Sequence, residues 1–488
     1  MSQDNTLPAA EWITHLDIPN SWCWVTLGQI ADIKGGLAKG KKRRPDQPTR
    51  LVPYLRVANV QRGYLDLSEI KYIDATDDEF GELLLFRGDI LFNEGGDRDK
   101  LGRGWIWNDE IAGCIHQNHV FRARPASPEL ISKLISMYGN IYGQAYFIGE
   151  GKQTTNLASV SLSKLASLPV PLIPANEQNR IVTKIDSLFA RSSRARDELA
   201  HIPKLVERYR QAVLEAAFRG DLTADWRASN PTLGGGIQAE ADKDGPYELP
   251  ASWQWIRLPR LGLLGRGKSR HRPRNDPSLF GGPYPFIQTG EVRAADGFLN
   301  TFTKTYSEKG LAQSKVWPVG TVCITIAANI AETAVLGIEA CFPDSVVGFV
   351  ANSRLTIPEY IEFFIRTVRS DLEAFAPATA QKNINLDTLE EVLVPLPPVE
   401  EQQAIVDRII SAFHGLSRMN IEHDKATSLI DRLDASILDK AFSGQLVPQD
   451  PNDEPASKLL KRIRAARAAA PAVKRGRKAK GAADGGLF

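Results

Sequence analysis

Most of the side chains in this 488-residue chain that could do chemistry lie in short, Gly-rich basic runs. KGGLAKGKKRRP carries Lys34, Lys39, Lys41, Lys42, Arg43 and Arg44. GRGKSRHRPR carries Arg266, Lys268, Arg270, His271, Arg272 and Arg274. GGDRDKLGRG adds Arg98, Lys100 and Arg103. Two matched polar loops hold Lys152, Gln153, Thr154 and Thr155 in one case, and Thr379, Gln381 and Lys382 in the other. LRVANVQRG supplies Arg56, Asn59, Gln61 and Arg62; FIQTGEVR supplies Gln288 and Arg293; CIHQNH supplies Gln117 and Asn118. Lys and Arg neutralise phosphates. Asn, Gln and Arg can make paired hydrogen bonds to adenine and guanine edges. One such loop alone reads as solvated surface charge. The same loops recurring in two halves of one chain point to DNA contact, with Lys41 and Lys42 positioning phosphates and Gln153 and Gln381 reading edges.

Other chemistries find less support. GLLGRGKS, Gly262–Ser269, matches the phosphate-loop pattern G-x-x-x-x-G-K-S. That pattern works when a helix starts at the Lys and backbone N–H groups wrap the phosphate. Here RHRPRNDP follows, with two prolines and no helical period. A Gly-rich basic loop is expected, and a nucleotide-hydrolysing enzyme stands as the alternative. His116 and His119 fall in a strand-like run, where a spacing of three puts them on opposite faces. No further ligand cluster accompanies them, so no metal site is expected. No Rossmann glycine loop, Asn-Pro-Pro-Tyr-like signature or nucleophile elbow occurs, and no catalysis is expected of this chain alone. Cys23, Cys114, Cys323 and Cys341 form no Cys-x-x-Cys, which excludes the familiar zinc patterns and argues against a disulfide framework. No signal peptide and no membrane span are expected, hence a cytoplasmic protein. Net charge is +2, yet residues 458–480 carry ten Lys or Arg and no acid, leaving −8 elsewhere. DNA binding by the body must therefore use local patches.

The elements that would position these loops come in duplicate. IPNSWCWVTL (from Ile18) answers LPASWQWIRL (from Leu249), VPYLRVANV (from Val52) answers YPFIQTGEV (from Tyr284), and RGDILFN (from Arg87) answers VGTVCIT (from Val319). These are β-branched and aromatic runs bounded by Gly and Pro, which read as strands. CIHQNHVFRARP and SVVGFVANS read as later strands, each followed by an amphipathic helix from Pro128 or Pro358. Each half then reaches a Val-Pro-Leu segment and a long periodic stretch. Gln178 and Gln402 are 224 positions apart, and so are Phe218 and Phe442. Repetition held in register over that length is one element used twice.

A 4-3 spacing runs through each stretch. Copy one has Ile181, Ile185, Leu188, Ser192, Ala195, Leu199, Ile202, Val206, Tyr209, Val213 and Ala216. Copy two has Ile405, Ile409, Ala412, Leu416, Met419, His423, Ala426, Ile430, Leu433 and Ile437. These are heptad seams with a polar break at Ser192 and at His423, both expected at a solvated edge. Pro174 and Pro398 suit a first helical turn, and Gly220 and Gly444 suit the C′ position. Each rod would be roughly 60 Å long. Its simplest partner is the other rod, as an antiparallel intramolecular coiled coil. Pro203 is expected to kink the first rod. Asn230–Pro250 reads as a linker, and residues 451–488 as a basic, largely disordered tail that opens with a short helix, SKLLKRIRAARAAA.

Two variable domains, each followed by a VPLP-like, EQ and IV segment and a long helix ending AF-x-G-x-L, resemble the specificity subunit of type I restriction–modification enzymes. LRVANVQRGYLDL and GDILFNEGGDRDKLGRGWIW are similar to that family's first target recognition domain. The resemblance spans about Ile18 to Leu446. It implies an α+β fold with two α/β recognition domains, residues 18–173 and 249–397, in pseudo-two-fold arrangement, separated by spacer helices at 174–220 and 398–444. It implies that each domain reads one half of a bipartite, asymmetric target while the helices set the separation. Two methyltransferase subunits would dock on the helices, and two motor-nuclease subunits would join them. S-adenosylmethionine, ATP and Mg are implied on those partners, with no cofactor on this chain, in a bacterial cytoplasm at the nucleoid. A coiled-coil scaffold that reads no DNA is the remaining alternative.

Overall fold

The computed structural model describes residues 16–40, 47–96, 101–150, 152–153, 158–231, 245–270, 273–295, 297–327, 330–374 and 384–469. Its chain divides into unit 1, Met1–Arg196 with Ser428–Phe488, and unit 2, Asp197–Thr427. Both mix helices and strands, the class expected from the sequence.

In unit 1 the β-branched runs form an antiparallel sheet in the order Ala31–Gly35, Val120–Pro125, Ile90–Asn93, Gly104–Ile106. Its register aligns Ile33, Ala123, Ile90 and Ile106 across the four strands. A second sheet runs Lys71–Ala75, Arg50–Leu55, Ile115–His116. Unit 2 repeats this order. Its larger sheet runs Gly262–Arg266, Val346–Ala351, Val322–Thr325, Thr333–Leu336, Gly297–Leu299. Leu264, Phe349, Val322 and Val335 align across it. Its smaller sheet runs Lys304–Tyr306, Phe280–Phe286, Ala340–Cys341, Val316–Trp317. Rows of apolar side chains on one face are what a period-two pattern yields once register is set.

Each Trp-x-Trp strand pairs with the Val-Pro-Leu segment: Cys23–Thr26 with Pro169–Leu172, and Gln254–Arg257 with Leu393–Leu396. Proline is tolerated there because the ribbons have only two strands. The Glu-Gln pair that opens each rod then anchors it. Trp22 Nε1 donates to Glu177 Oε2 at 2.8 Å, and Trp253 Nε1 to Glu401 Oε2 at 2.9 Å. Gln178 accepts from Ile131 N and donates to Ile173 O; Gln402 accepts from Ile357 N and Thr356 Oγ1 and donates to Leu355 O and Pro397 O. Acidic residues of the first helical turn, where they complement the helix dipole, these carboxylates also cap buried indoles.

The first rod is two helices, Ala175–Leu199 and Ile202–Arg219, and the second is one, Val399–Phe442. The kink expected at Pro203 is thus an interruption. Proline lacks the N–H a continuous helix needs but fits a first turn, and the chain restarts at Ile202 to place it there. Gly220 and Gly444 adopt φ 88° and 72°, the left-handed conformation that ends a helix without steric cost.

The seam is buried near the sheets. Ile181, Ile185 and Ile437 lie in the core of unit 1, and Val213, Ile405 and Ile409 in that of unit 2. Leu416 is buried, while Leu188, Leu199 and Ile430 are half-buried. Leu433 is 54% exposed and leaves the seam. Its neighbour Asp434 takes the inward direction, accepting from Ser192 Oγ at 2.6 Å and pairing with Arg196 at 2.7 Å. Arg196 also reaches Asp431 at 2.8 Å. A step of one residue turns a side chain by about 100°, so Leu433 faces out. Ser192, expected at a solvated edge, is 5% exposed and is the centre of this polar clasp. His423 is half-buried beside Asp424.

The short helix expected after Pro451 forms. Ala456–Ala469 is a helix whose Ala456, Leu459, Leu460 and Ile463 join the core of unit 1. That i, i+3, i+4, i+7 spacing is one helical face. Residues 470–488 lie outside the described residues.

Candidate nucleic-acid interface

In unit 1 the loop after the first sheet strand is sewn to the turn at 117–119. A Cβ on Gly36 would stand 2.0 Å from His116 O, so only glycine permits the crossing. Leu37 N donates to His116 O at 2.9 Å, and Asn118 N to Leu37 O at 3.0 Å. Lys34 and Lys39 are thereby brought to Gln117, Asn118 and His119. Lys34 pairs with Glu82 at 2.7 Å and Lys39 is exposed. His119 Nδ1 lies 2.6 Å from Glu94 Oε2. The backbone of Lys152–Gln153 pairs with Ala158–Ser159, which pairs with Gly95–Gly96 next to Glu94. Three segments far apart in sequence therefore meet at one end of the sheet. Lys41, Lys42, Arg43, Arg44, Arg98, Lys100, Thr154 and Thr155 lie outside the described residues, as do the side chains of Lys152 and Gln153.

Four other candidates are engaged by partners within the unit, and one of them, Asn59, turns inward. Asn59 is 2% exposed; it accepts from Arg56 N and donates to Asp66 O and Glu69 O. Its amide holds the loop shut and faces no solvent. Arg56 pairs with Glu69 at 3.0 Å, Gln61 donates to Ala58 O at 2.6 Å, and Arg62 donates to Asn140 O. Asn59 is withdrawn as a base reader, because a buried amide with three internal partners cannot also meet a base edge. Arg103 is half-buried.

His116 and His119 do not share a strand: the first ends a strand of the smaller sheet, and the second lies in the turn beyond it. His116 is fully buried with Nδ1 2.7 Å from Val120 O, and burial pulls its pKa down to about 4. It is a neutral packed imidazole. Among the described residues no group of three or more His, Cys, Asp or Glu could hold a metal.

In unit 2 the phosphate-loop pattern is a strand. Gly262–Arg266 pairs residue by residue with Val347–Ala351 and precedes no helix. A Cβ on Gly262 would meet Val350 O at 2.2 Å, and one on Gly267 would meet Pro343 O at 2.3 Å. These glycines allow close backbone packing, and nucleotide hydrolysis through Gly262–Ser269 is set aside. Lys268 and Arg270 are exposed. Arg266 Nε donates to Asp344 O at 2.7 Å, and Arg274 pairs with the Asp344 carboxylate at 2.9 Å.

Arg274 and Gln288 line one cavity of about 560 Å³. Asn275, Thr289 and Lys304 line it too, and composition alone had not singled them out. Their signal was only polarity beside the basic run and in a strand. Gln288 sits at the start of a short helix, its N–H held by Glu291 Oε2 at 2.7 Å. Arg293 faces Glu332 at 3.8 Å. Arg272, Thr379, Gln381 and Lys382 lie outside the described residues.

Residues 252–422 match the family described as "Type I restriction modification DNA specificity domain". The specificity subunit of the EcoKI type I restriction enzyme of Escherichia coli strain K12 is 24% identical over 495 residues, covering 94% of this chain and 98% of that protein. The EcoDI specificity subunit of Escherichia coli is 26% identical over 373 residues, covering 72% and 80%. Among solved structures, the HsdS subunit from Thermoanaerobacter tengcongensis superposes with a TM-score of 0.56 at 20% identity, over 88% of this chain and 98% of that one. A chain from a type I R-M system solved in a study of complex assembly and conformational transition gives 0.65 at 21% identity, covering 88% and 100%. These two share the fold. A matched specificity domain over residues 252–422, relatives aligned over nearly its whole length and the same fold make this chain similar to the type I restriction–modification DNA specificity subunits.

Proposed function

We propose that this chain gives a type I restriction–modification complex its sequence specificity, with unit 1 and unit 2 each reading one half of a bipartite, asymmetric DNA target. The observation that carries this reading is the repeated sheet order, which in each unit gathers exposed cations and half-buried amides. In unit 1 these are Lys39, Gln117 and Asn118; in unit 2, Lys268, Arg270, Arg274 and Gln288. Cations position the duplex through phosphates, and amides discriminate base edges. The two rods, built alike, fix the separation of the half-sites.

Partner subunits carry the chemistry on this reading. Two methyltransferase subunits bring S-adenosylmethionine, and two motor-nuclease subunits bring ATP and Mg, while this chain is not itself catalytic. An apolar groove of about 860 Å³ in unit 2, bordered by Leu205, Tyr209, Leu416 and Met419, supports docking along the rods. Tyr209 and Met419 are more than half exposed in the seam where a packed pair would bury them, and Leu205 beside the seam is equally open. No described helix is long and apolar enough to cross a membrane, in keeping with action on DNA in the cytoplasm.

Mapping the methylated positions of a host genome with and without this chain tests the reading. A bipartite motif should vanish when the chain is removed. Asn118→Ala should relax one half of that motif, and Gln288→Ala the other. Relaxation of both halves by either change would defeat the division of labour.

A further inference from the structure

The cavity of unit 2 has a shape that groove reading does not require. A duplex offers a protein a convex cylinder of phosphates and grooves, read by projecting helices, strands or loops. A recess of about 560 Å³ instead accepts something that projects. Its lining suits a nucleotide in three ways. Phe280 and Phe286 supply aromatic surface, and Phe286 is backed by Tyr306 in a stacked pair with centroids 4.1 Å apart. Asn275 and Gln288 supply amides able to pair with a base edge. Arg274 and Lys304 bring cations suited to a phosphate.

Two details strengthen the match. Asp344 holds Arg274 at 2.9 Å, so the guanidinium is oriented before any ligand arrives. Lys304 Nζ lies 5.6 Å from the centre of the Phe280 ring, keeping a cation against the aromatic surface. Aromatic surface for stacking, hydrogen-bonding groups for the edge and cations for the backbone are what an unstacked nucleotide needs.

We propose that this cavity receives one nucleotide swung out of the duplex within the half-site read by unit 2. The proposal rests on the reading of unit 2 as a DNA-recognition unit. Extrusion adds a selectivity that groove contacts lack, because the base must both leave its stack and fit the recess.

The test uses the full complex with its partner subunits and duplexes carrying 2-aminopurine at successive positions of the target. The expected result is a several-fold fluorescence rise at one position of the second half-site, distinct from the methylated base. Thr305→Phe, which fills the recess, should abolish that rise and leave recognition of the first half-site intact. Gln288→Ala, which preserves packing, should relax base preference at the brightened position and nowhere else, and keeps the test decisive if the filled variant does not fold. No brightening outside the methylated base, or brightening that survives Thr305→Phe, overturns the proposal. So does a Thr305→Phe variant that folds, by circular dichroism, and yet fails to assemble with its partners in the absence of DNA, which would mark the recess as a protein socket. Loss of second-half preference without brightening sinks extrusion alone. Second-half preference unchanged in every variant sinks the reading of unit 2 itself.

Discussion

Gln402 offers a test of how the rod is held to its sheet. Its side chain is fully buried and makes four hydrogen bonds: from Ile357 N at 3.2 Å, from Thr356 Oγ1 at 2.9 Å, to Leu355 O at 2.8 Å and to Pro397 O at 3.0 Å. Gln402→Leu keeps the volume and orphans one N–H, two carbonyls and a buried hydroxyl. A buried polar group left without a partner costs about 1–3 kcal/mol, so allowing for partial relaxation the loss is about 3–6 kcal/mol. Gln178, its counterpart in unit 1, holds only Ile131 N and Ile173 O among the described bonds, and Gln178→Leu should cost about 2–4 kcal/mol. Against a total of about 5–15 kcal/mol for a domain, the first loss is enough to unfold unit 2 in mild urea.

A chain of two units need not unfold in one step, so a single global midpoint would blur the comparison. Hydrogen exchange resolves it residue by residue. Protection of the Ile357 amide should collapse in Gln402→Leu and stay at wild-type level in Gln178→Leu, and protection of the Ile131 amide should do the reverse. A Gln402→Leu variant that lost less than about 1 kcal/mol, or no more than Gln178→Leu, would refute the reasoning, since the satisfied bonds would then not hold the junction.

Further outcomes follow from other contacts. His116, buried and neutral with a pKa near 4 against an ordinary 6.5, binds its proton more readily in the unfolded chain; stability from this group is complete above pH 6.5 and is lost as pH falls toward 4, by roughly 3 kcal/mol. Urea titrations across that window should show the loss in unit 1, and His116→Phe should flatten it. Ser192→Ala removes the 2.6 Å bond to Asp434 and should cost about 1–2 kcal/mol in unit 1, read by the same titrations at neutral pH. Ile463→Ala opens a cavity where the helix Ala456–Ala469 meets the core of unit 1 and should cost about 2–4 kcal/mol, leaving amide protection in unit 2 unchanged. Lys268→Gln combined with Arg270→Gln should weaken binding to every sequence alike and shallow the salt dependence by about two phosphate contacts, measured by filter binding over a range of salt.

How far the sequence foretold all this depends on which force decides each feature. Periodicity did well where local spacing selects a face: the sheet strands and the two rods form where alternating and 4-3 patterns place them. It did less well where a distant polar partner competes for that face. Leu433 fits the heptad and yet faces out, because Asp434 beside it is claimed by Ser192 and Arg196. Asn59 has a base reader's side chain, but the carbonyls of Asp66 and Glu69 use it up. The glycines at 262 and 267 match a phosphate loop letter for letter, while the backbone carbonyls of Val350 and Pro343 are what require them. The helix Ala456–Ala469 was legible as a helix, but its five cations hid that one apolar face, Ala456, Leu459, Leu460 and Ile463, docks it into the core of unit 1.

The duplication itself shows the same competition at a junction both halves share. Glu177 and Glu401 each cap a tryptophan, yet each carboxylate keeps a second oxygen that needs a donor. In unit 2 Arg227 supplies it at 2.6 Å from the segment after the first rod; in unit 1 Gln449 supplies it from the segment after the second. Each rod's start is therefore closed by the chain that follows the other rod. The neighbouring contacts repeat the scheme, with Arg408 held by Asp225 at 2.6 Å and Arg180 held by Asp453. Exact register between the two long repeats follows from this exchange. A residue inserted in either rod would move a closing segment away from the junction it completes, whereas insertions among the sheet loops disturb neither. That is why the spacing is invariant from Gln178 to Phe218 and from Gln402 to Phe442 while the sheets drift, and why the surfaces that meet DNA could diverge between the two halves.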